Sequence, residues 1–322
     1  MKSDSNAPAP LALFALALFA SVINFAAPPV AAARTQKPKG VAAATPAQPP
    51  ALKRTTTRRE VRRFGFGNTL TIYGAPEGSI TVEAWARPEI EITADVELRA
   101  NTEEELTLLA AVNGFALDED ATHFQVVTTG THDRQFMKRA AKELAAAKNF
   151  PKHLLAMPWR VDYHIRVPAV VDLEVFAGKG ALVFDRIEGS LQLKAGESSA
   201  ALTLSGGDVS ATLVGGSVLL RVTERSWRGR GVNVRMATGQ LTVALPAGFN
   251  GEVSATVVRA GRVENADAVL GAGDERASSS SSANERRSVK RRAGAGGAPF
   301  TFEVGDGVIR FVRLGAVERA KP

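Results

Sequence analysis

The stretch from residue 172 to 261 reads DLEVFAGKG (172–180), ALVFDRIEG (181–189), SLQLKAG (190–196), AALTLSGG (200–207), DVSATLVGG (208–216), SVLLRV (217–222), VNVRMATG (232–239), QLTVALPAGFNG (240–251) and EVSATVVRAG (252–261). Short apolar segments return about every ten residues, and nearly all of them end at glycine. Within each segment the apolar residues alternate: Leu173 and Val175, Leu182 and Phe184, Leu191 and Leu193, Leu202 and Leu204. Val209 and Leu213 follow, then Val218, Leu220 and Val222, Val232 and Val234, Leu241, Val243 and Leu245, and Val253 and Val257. Side chains on a strand point to opposite faces in turn, so period two makes one face dry and the other wet. The wet set is Glu174, Gln192, Lys194, Thr203, Ser210, Arg221 and Thr242, types that suit an exposed pleated surface.

The glycines at 180, 189, 196, 207, 216, 231, 239, 251 and 261 mark corners, where positive φ favours a residue without Cβ. Short strands, short connections and a near-uniform inward set of Leu and Val predict a β-solenoid, in which each coil covers the edge of the next. A β-sandwich is the alternative for the same cadence.

The ends place the protein. Lys2, an apolar run over residues 11–27 and Ala31-Ala32-Ala33 form an export signal, with cleavage expected before Arg34. The other reading is an uncleaved anchor, although the run falls short of the ~20 residues that span a bilayer. Residues 34–57, rich in Ala, Pro, Thr and Lys, read as a disordered linker. Residues 272–298, with five serines followed by Arg286, Arg287, Lys290, Arg291 and Arg292, read as a disordered insertion. The strand pattern resumes at residues 299–315, and residues 316–322 form a tail. The absence of cysteine excludes disulfides, thiolate metal ligands and thiol nucleophiles.

Residues 58–168 read as a β-rich capping region with two short helices. Strands are expected over 70–82, around a turn at 75–79, and over 90–98, 115–117, 124–128 and 160–167. Thr102 with Glu105 forms a capping box for the first helix, with Leu106, Leu109 and Ala110 as its apolar face. The second helix runs over about 135–148, with Phe136, Met137, Ala140, Ala141 and Leu144 on one side.

Four segments together resemble a known family: GNTLTIYGAPEGSITVEAWARPEIEI (67–92), YHIRVPAVVDLEVFAGKGALVF (163–184), RIEGSLQLKAGESSAALTLSGGDVSATLVGG (186–216) and TGQLTVALPAGFNGEVSATVVRAGRV (238–263). Their order is similar to that of the bacterial putative-adhesin domain of unknown function, an adhesin-like β-solenoid. The likeness covers about residues 64–315. It implies a cell-envelope protein and brings no catalytic residues. The basic helical insert at 134–152 and the Ser/Arg insertion depart from the family's pattern.

No constellation of catalytic groups stands out. Gly196-Glu197-Ser198-Ser199-Ala200 lacks the second glycine of a nucleophile turn and reads as a coil corner. Gly178-Lys179-Gly180 has no phosphate-loop context. His123, His132, His153 and His164 lack ligand spacing, and His164 reads as a structural strand residue. Asp118, Glu119 and Asp120 with His123 read as a charged tip between strands rather than a calcium site. The carboxylates Asp172, Asp185, Glu188, Glu197 and Asp208 fall mostly at corners of different coils, which argues against a hydrolase or lyase.

Formal net charge is +7. Arg225, Arg228 and Arg230 flank Trp227 in one long corner, TERSWRGRG (223–231), where an exposed ring among arginines could stack on a sugar or hold an anionic polymer. These four residues are the candidate partner-binding set, with a solvated loop as the plainer reading. The expected function is an exported, non-enzymatic envelope protein that binds a surface, polymer or protein partner. Anionic envelope polymer, glycan and protein are the partner classes, with no cofactor, metal or nucleic acid. A polysaccharide-acting β-helix enzyme is one alternative, and a structural or stress-associated envelope protein without a dedicated ligand is another.

Overall fold

The computed structural model describes residues 50, 52–271 and 287–317. The expected export signal, residues 34–49 of the linker, 272–286 of the insertion and 318–322 of the tail lie outside the described residues. The elements are β1 (Leu52–Arg63), β2 (Thr69–Tyr73), β3 (Ile80–Trp85), β4 (Glu89–Ala100), α1 (Glu103–Val112), β5 (Gly114–Glu119), β6 (His123–Thr129), α2 (Arg134–Glu143), α3 (Ala145–Lys148) and β7 (Trp159–Pro168). They continue with β8 (Asp172–Ala177), β9 (Gly180–Ile187), β10 (Ser190–Leu204), β11 (Gly206–Val222), β12 (Arg228–Leu245), β13 (Gly251–Glu264), α4 (Ala266–Leu270), β14 (Ser288–Ala293), β15 (Pro299–Arg313) and α5 (Leu314–Val317). The protein is mostly β. Among the described residues the strands join one open, mixed, 15-stranded sheet.

From β8 to β15 the pairing is parallel, unlike the hairpins of a sandwich, except for β14, which pairs antiparallel with β13. Ser190 pairs with Asp208, eighteen positions on, and the same offset joins Leu173 to Leu191 and Leu182 to Ala200. Val209 pairs with Val232, and the extra residues of that step form the corner at 223–227. Parallel register follows from the period: each inward Leu or Val lands on another inward apolar residue and closes a dry column. Every inward residue named above is buried, from Leu173 at 1% exposure to Val257 at 2%. Two expected segments, 190–196 and 200–204, fuse into the single strand β10, so Gly196 lies within a strand and not at a positive-φ corner.

Several boundaries differ from expectation. β2 and β3 do not pair with each other; they lie parallel to β8 and β9, with Leu70 beside Leu173 and Ile80 beside Leu182. β6 and β7 continue the same stack below them. The parallel ladder therefore starts at Thr69, and the covering elements are fewer than the whole of 58–168. Antiparallel β1 and β4 on β7, and β5 on β6, close that end. Their connections are long and carry helices, which hides the shared period in the sequence.

Residues 52–57, expected as linker, belong to β1. Three consecutive threonines favour extended backbone, and β1 pairs along its length with β4. Residues 288–293, expected within the disordered insertion, form β14 on β13: Val289 and Ala293 are buried and Arg291 is half-buried, while Lys290 and Arg292 are exposed, a period-two pattern inside a charge run.

In α1 the Thr102 hydroxyl accepts from the Glu105 amide at 3.2 Å, but the buried face is Leu106, Leu109 and Val112, while Ala110 is exposed. α2 stops at Glu143, and the extended backbone of Leu144 separates it from α3. Leu144 is 42% exposed, off the apolar side where its spacing put it.

Candidate functional site

Trp227 stands at the corner between β11 and β12, but its ring is 8% exposed. Its indole Nε1 donates to the carbonyl of Gly207 at 2.9 Å, and its edge meets Phe300 at 5.3 Å between centroids. The reading of an exposed stacking ring is corrected. A corner longer than its neighbours leaves space beneath it, and the indole fills that space while its one polar atom meets the Gly207 carbonyl. Ser and Arg neighbours mimic a solvated loop in the sequence, so the inward turn of the ring is invisible there.

The arginines do face solvent. Arg228 lies 3.9 Å from Glu188 and Arg230 3.6 Å from Asp208, both open surface pairs. Arg225 is exposed, and its carbonyl accepts from the Asn250 amide at 2.7 Å.

Beside this corner lies the wet face of β2, β8, β10 and β11. Register lines its residues in rows across the strands. Thr69, Asp172, Ser190 and Asp208 form one row, and Glu174, Gln192 and Ser210 form the next, beside the buried Thr71. Adjacent rungs of a parallel sheet lie about 4.8 Å apart, so each row is a ladder of hydrogen-bonding groups at fixed spacing. Thr69, Asp172, Glu174, Ser190, Gln192, Asp208 and Ser210 line a polar concavity of about 320 Å³. A third row supplies aromatic surface. Tyr73 and Phe176 stack with centroids 5.1 Å apart and 9° between planes, and Lys194 Nζ covers the Phe176 ring at 5.2 Å from its centroid.

The fold brings Asp172 and Asp208 to one face, which their 36-residue separation concealed, and adds Glu174. Glu174 was visible only as an outward strand residue. Each carboxylate has a structural neighbour: Asp172 Oδ1 accepts from the Ser190 amide at 2.9 Å, the Thr71 hydroxyl donates to Glu174 at 3.4 Å, and Asp208 faces Arg230. Of the other candidate carboxylates, Glu188 stands at the arginine corner beside this face, while Asp185 and Glu197 lie apart from it. Asp185 pairs with Arg186 at 2.9 Å and Glu197 with Lys179 at 3.2 Å. A second concavity, of about 490 Å³, lies across β9–β12 and β15 and is mainly apolar, with Val183, Ala201, Leu219 and Val312 in its lining.

The remaining candidates hold the fold. Asp120 Oδ1 accepts from the amides of Thr122 and His123, both at 2.8 Å, and these bonds hold its carboxyl below the usual range. Among the described residues no group of three or more His, Asp or Glu is placed to hold a metal ion. His164 Nε2 lies 3.2 Å from Glu83, and His153 Nε2 lies 2.9 Å from Glu105. His132 packs on Trp159 at 5.3 Å, and burial lowers its pKa. Ser198 Oγ donates to the carbonyl of Gly178 at 3.0 Å, so the serine string is a strand contact.

No known family matches the chain, and no curated protein does. Two solved structures are similar to it. One is described as a putative cell adhesion protein from Clostridium sporogenes, with 12% identity and a TM-score of 0.38, covering 80% of this chain and all of that one. The other is described as a putative adhesin from Bacteroides fragilis, with 11% identity and a TM-score of 0.29, covering 80% of this chain and 97% of that one.

Proposed function

We propose that the parallel ladder winds as a solenoid, and that the protein is an exported, adhesin-like, non-enzymatic envelope component. Its wet face and the adjoining arginine corner bind a hydroxyl-rich or anionic envelope polymer. One observation carries the reading: in-register rows of Thr, Ser, Gln and carboxylate groups span four neighbouring strands beside Arg228 and Arg230. Polymer hydroxyls are met by such ladders, and acidic groups by the guanidinium corner. The N-terminal segment supports export into the periplasm, to the cell surface or beyond. No described helix is long and apolar enough to cross a membrane.

The test is binding of the protein, isolated from its host's envelope, to neutral and anionic envelope polysaccharides. The combined variant Glu174→Gln, Gln192→Ala, Ser210→Ala is expected to weaken binding about tenfold, roughly 1.4 kcal/mol. Binding to none of the polymers, or unchanged binding by the variant, refutes the assignment. Protease shaving of fractionated cells locates the protein, and an intact mass beginning at Arg34 identifies the cleavage.

A second reading has its own observation. Asp172, Glu174 and Asp208 line one concavity, as the carboxylates of a polysaccharide-cleaving enzyme do. Release of reducing ends from a bound polymer, abolished by Glu174→Gln, favours that reading; its absence with binding retained favours the non-enzymatic one.

A further inference from the structure

Among the described residues the last strand, β15, is not at the edge of its sheet. β15 lies between β12 and β13 and runs parallel to both. The two walls are in phase: Val232 and Val253 both face Phe300, Val234 and Ala255 both face Phe302, and Met236 and Val257 both face Val304. Val232 and Val253 are twenty-one positions apart, close to the eighteen of directly stacked strands. β13 thus has the phase and the connection to stack straight on β12, and β15 has entered between them.

The inserted strand is apolar within and charged without. Phe300, Phe302, Val304, Ile309 and Phe311 are all at or below 1% exposure. Three ion pairs tie β15 to its walls: Glu303 to Arg235 of β12 at 3.8 Å, Asp306 to Arg259 of β13, and Arg310 to Glu264 of β13 at 2.7 Å. Walls bearing Arg235, Arg259 and Glu264 select a strand with acid, acid and base at matching positions. Residues 294–298 lead into β15, and Gly294, Gly296 and Gly297 among them have positive φ. Straightened, these five residues reach roughly 17 Å, beyond the ~10 Å that separates β14 from β15 across β13.

We propose that the slot between β12 and β13 is a strand-acceptor site, and that β15 of a second copy of this chain fills it in a strand-exchanged dimer. The exchanged strand repeats the same apolar phase and the same three ion pairs, so the dimer is closed and symmetric. Residues 294–298 are the hinge.

The chain has no cysteine, which allows a direct test. Gln240 and Val308 are register partners across β12 and β15, so Gln240→Cys and Val308→Cys bring thiols within disulfide reach. The double variant in one chain tests that geometry. The two single variants are then mixed, cycled through the unfolding midpoint at high protein concentration and oxidised. The expected result is interchain disulfide about tenfold above that of a mixture with Glu104→Cys, an exposed site on α1 away from β15, in place of Gln240→Cys. Equal yields from the two mixtures overturn the proposal. The unsubstituted chain gives an independent readout in sedimentation after the same cycle. A dimer that reverts only through unfolding supports the proposal, and monomer alone overturns it.

Discussion

Gly239 has a φ of 125°, and a Cβ on it would overlap the carbonyl oxygen of Gly216. Gly216 stands in the same relation to Ser198, and Gly307 to Gly239, so one column of near-bare backbone runs across the strands. Gly239→Ala is therefore expected to cost about 3 kcal/mol through backbone strain and overlap, read as a lower denaturation midpoint. An unchanged midpoint would show that the column can spread. Tyr163 is the other telling residue. Its ring is 1% exposed, its hydroxyl lies 2.7 Å from Thr128 Oγ1, and burial raises its pKa above that of a free phenol. A raised folded-state pKa adds stability that is present below the unfolded value of about 10 and is lost as pH climbs above it. Stability is thus expected to fall on the alkaline side, and Tyr163→Phe should flatten that fall while costing about 1 kcal/mol at neutral pH. An alkaline limb unchanged in the variant assigns the effect to other groups.

The charged cover strands behave differently from the stacked ones. On β4, Arg59 holds the Glu91 carboxyl low, while Lys53 and Arg99 hold that of Glu97 low. A lowered folded-state pKa contributes stability above the ordinary glutamate value of about 4.3, and acid removes it as those groups protonate. Amide protection in β1 should therefore fall with acidification before protection in β10 does. Simultaneous loss in both strands would show that the network does not hold β1. The same charges blunt an edge: β1 carries Lys53, Arg54, Arg58, Arg59, Arg62 and Arg63 along a strand whose pairing partner is β4, which discourages end-to-end association. At the other end β14 has Lys290, Arg291 and Arg292. β15 has no such protection, because it is internal, and that is why its displacement would leave a demanding vacancy.

Across the whole molecule each strand of the ladder relies on its neighbours, so local damage spreads. Leu204 is 1% exposed between Ile187 and Val222. Leu204→Asp buries an unpaired carboxylate there and is expected to cost about 4–5 kcal/mol or more, lowering the melting temperature of the whole ladder in one transition. Unchanged melting would overturn the inward assignment of β10. The dry columns could be read in advance, because alternation along a strand is a property of neighbouring residues. Leu202, Leu204, Val218 and Leu220 show their inward faces in any register. The capping box at Thr102 was legible for the same reason. The orientation of Trp227 was not, since the carbonyl of Gly207 and the edge of Phe300 come from other strands. Nor was the union of Asp172, Glu174 and Asp208 on one face, which needs the eighteen-residue register. By itself the sequence determined the β class and the inward set, which follow from local period, and most of the positive-φ glycines, but not Gly196 or Gly251. Only the tertiary structure decided which strand lies beside which: β2 and β3 under β8 and β9, and β15 between β12 and β13. Strands of equal phase are interchangeable to the local pattern. The choice among them rests on long-range fits such as the Phe300 cluster and the ion pairs of Glu303, Asp306 and Arg310, and those residues meet only once the chain has folded.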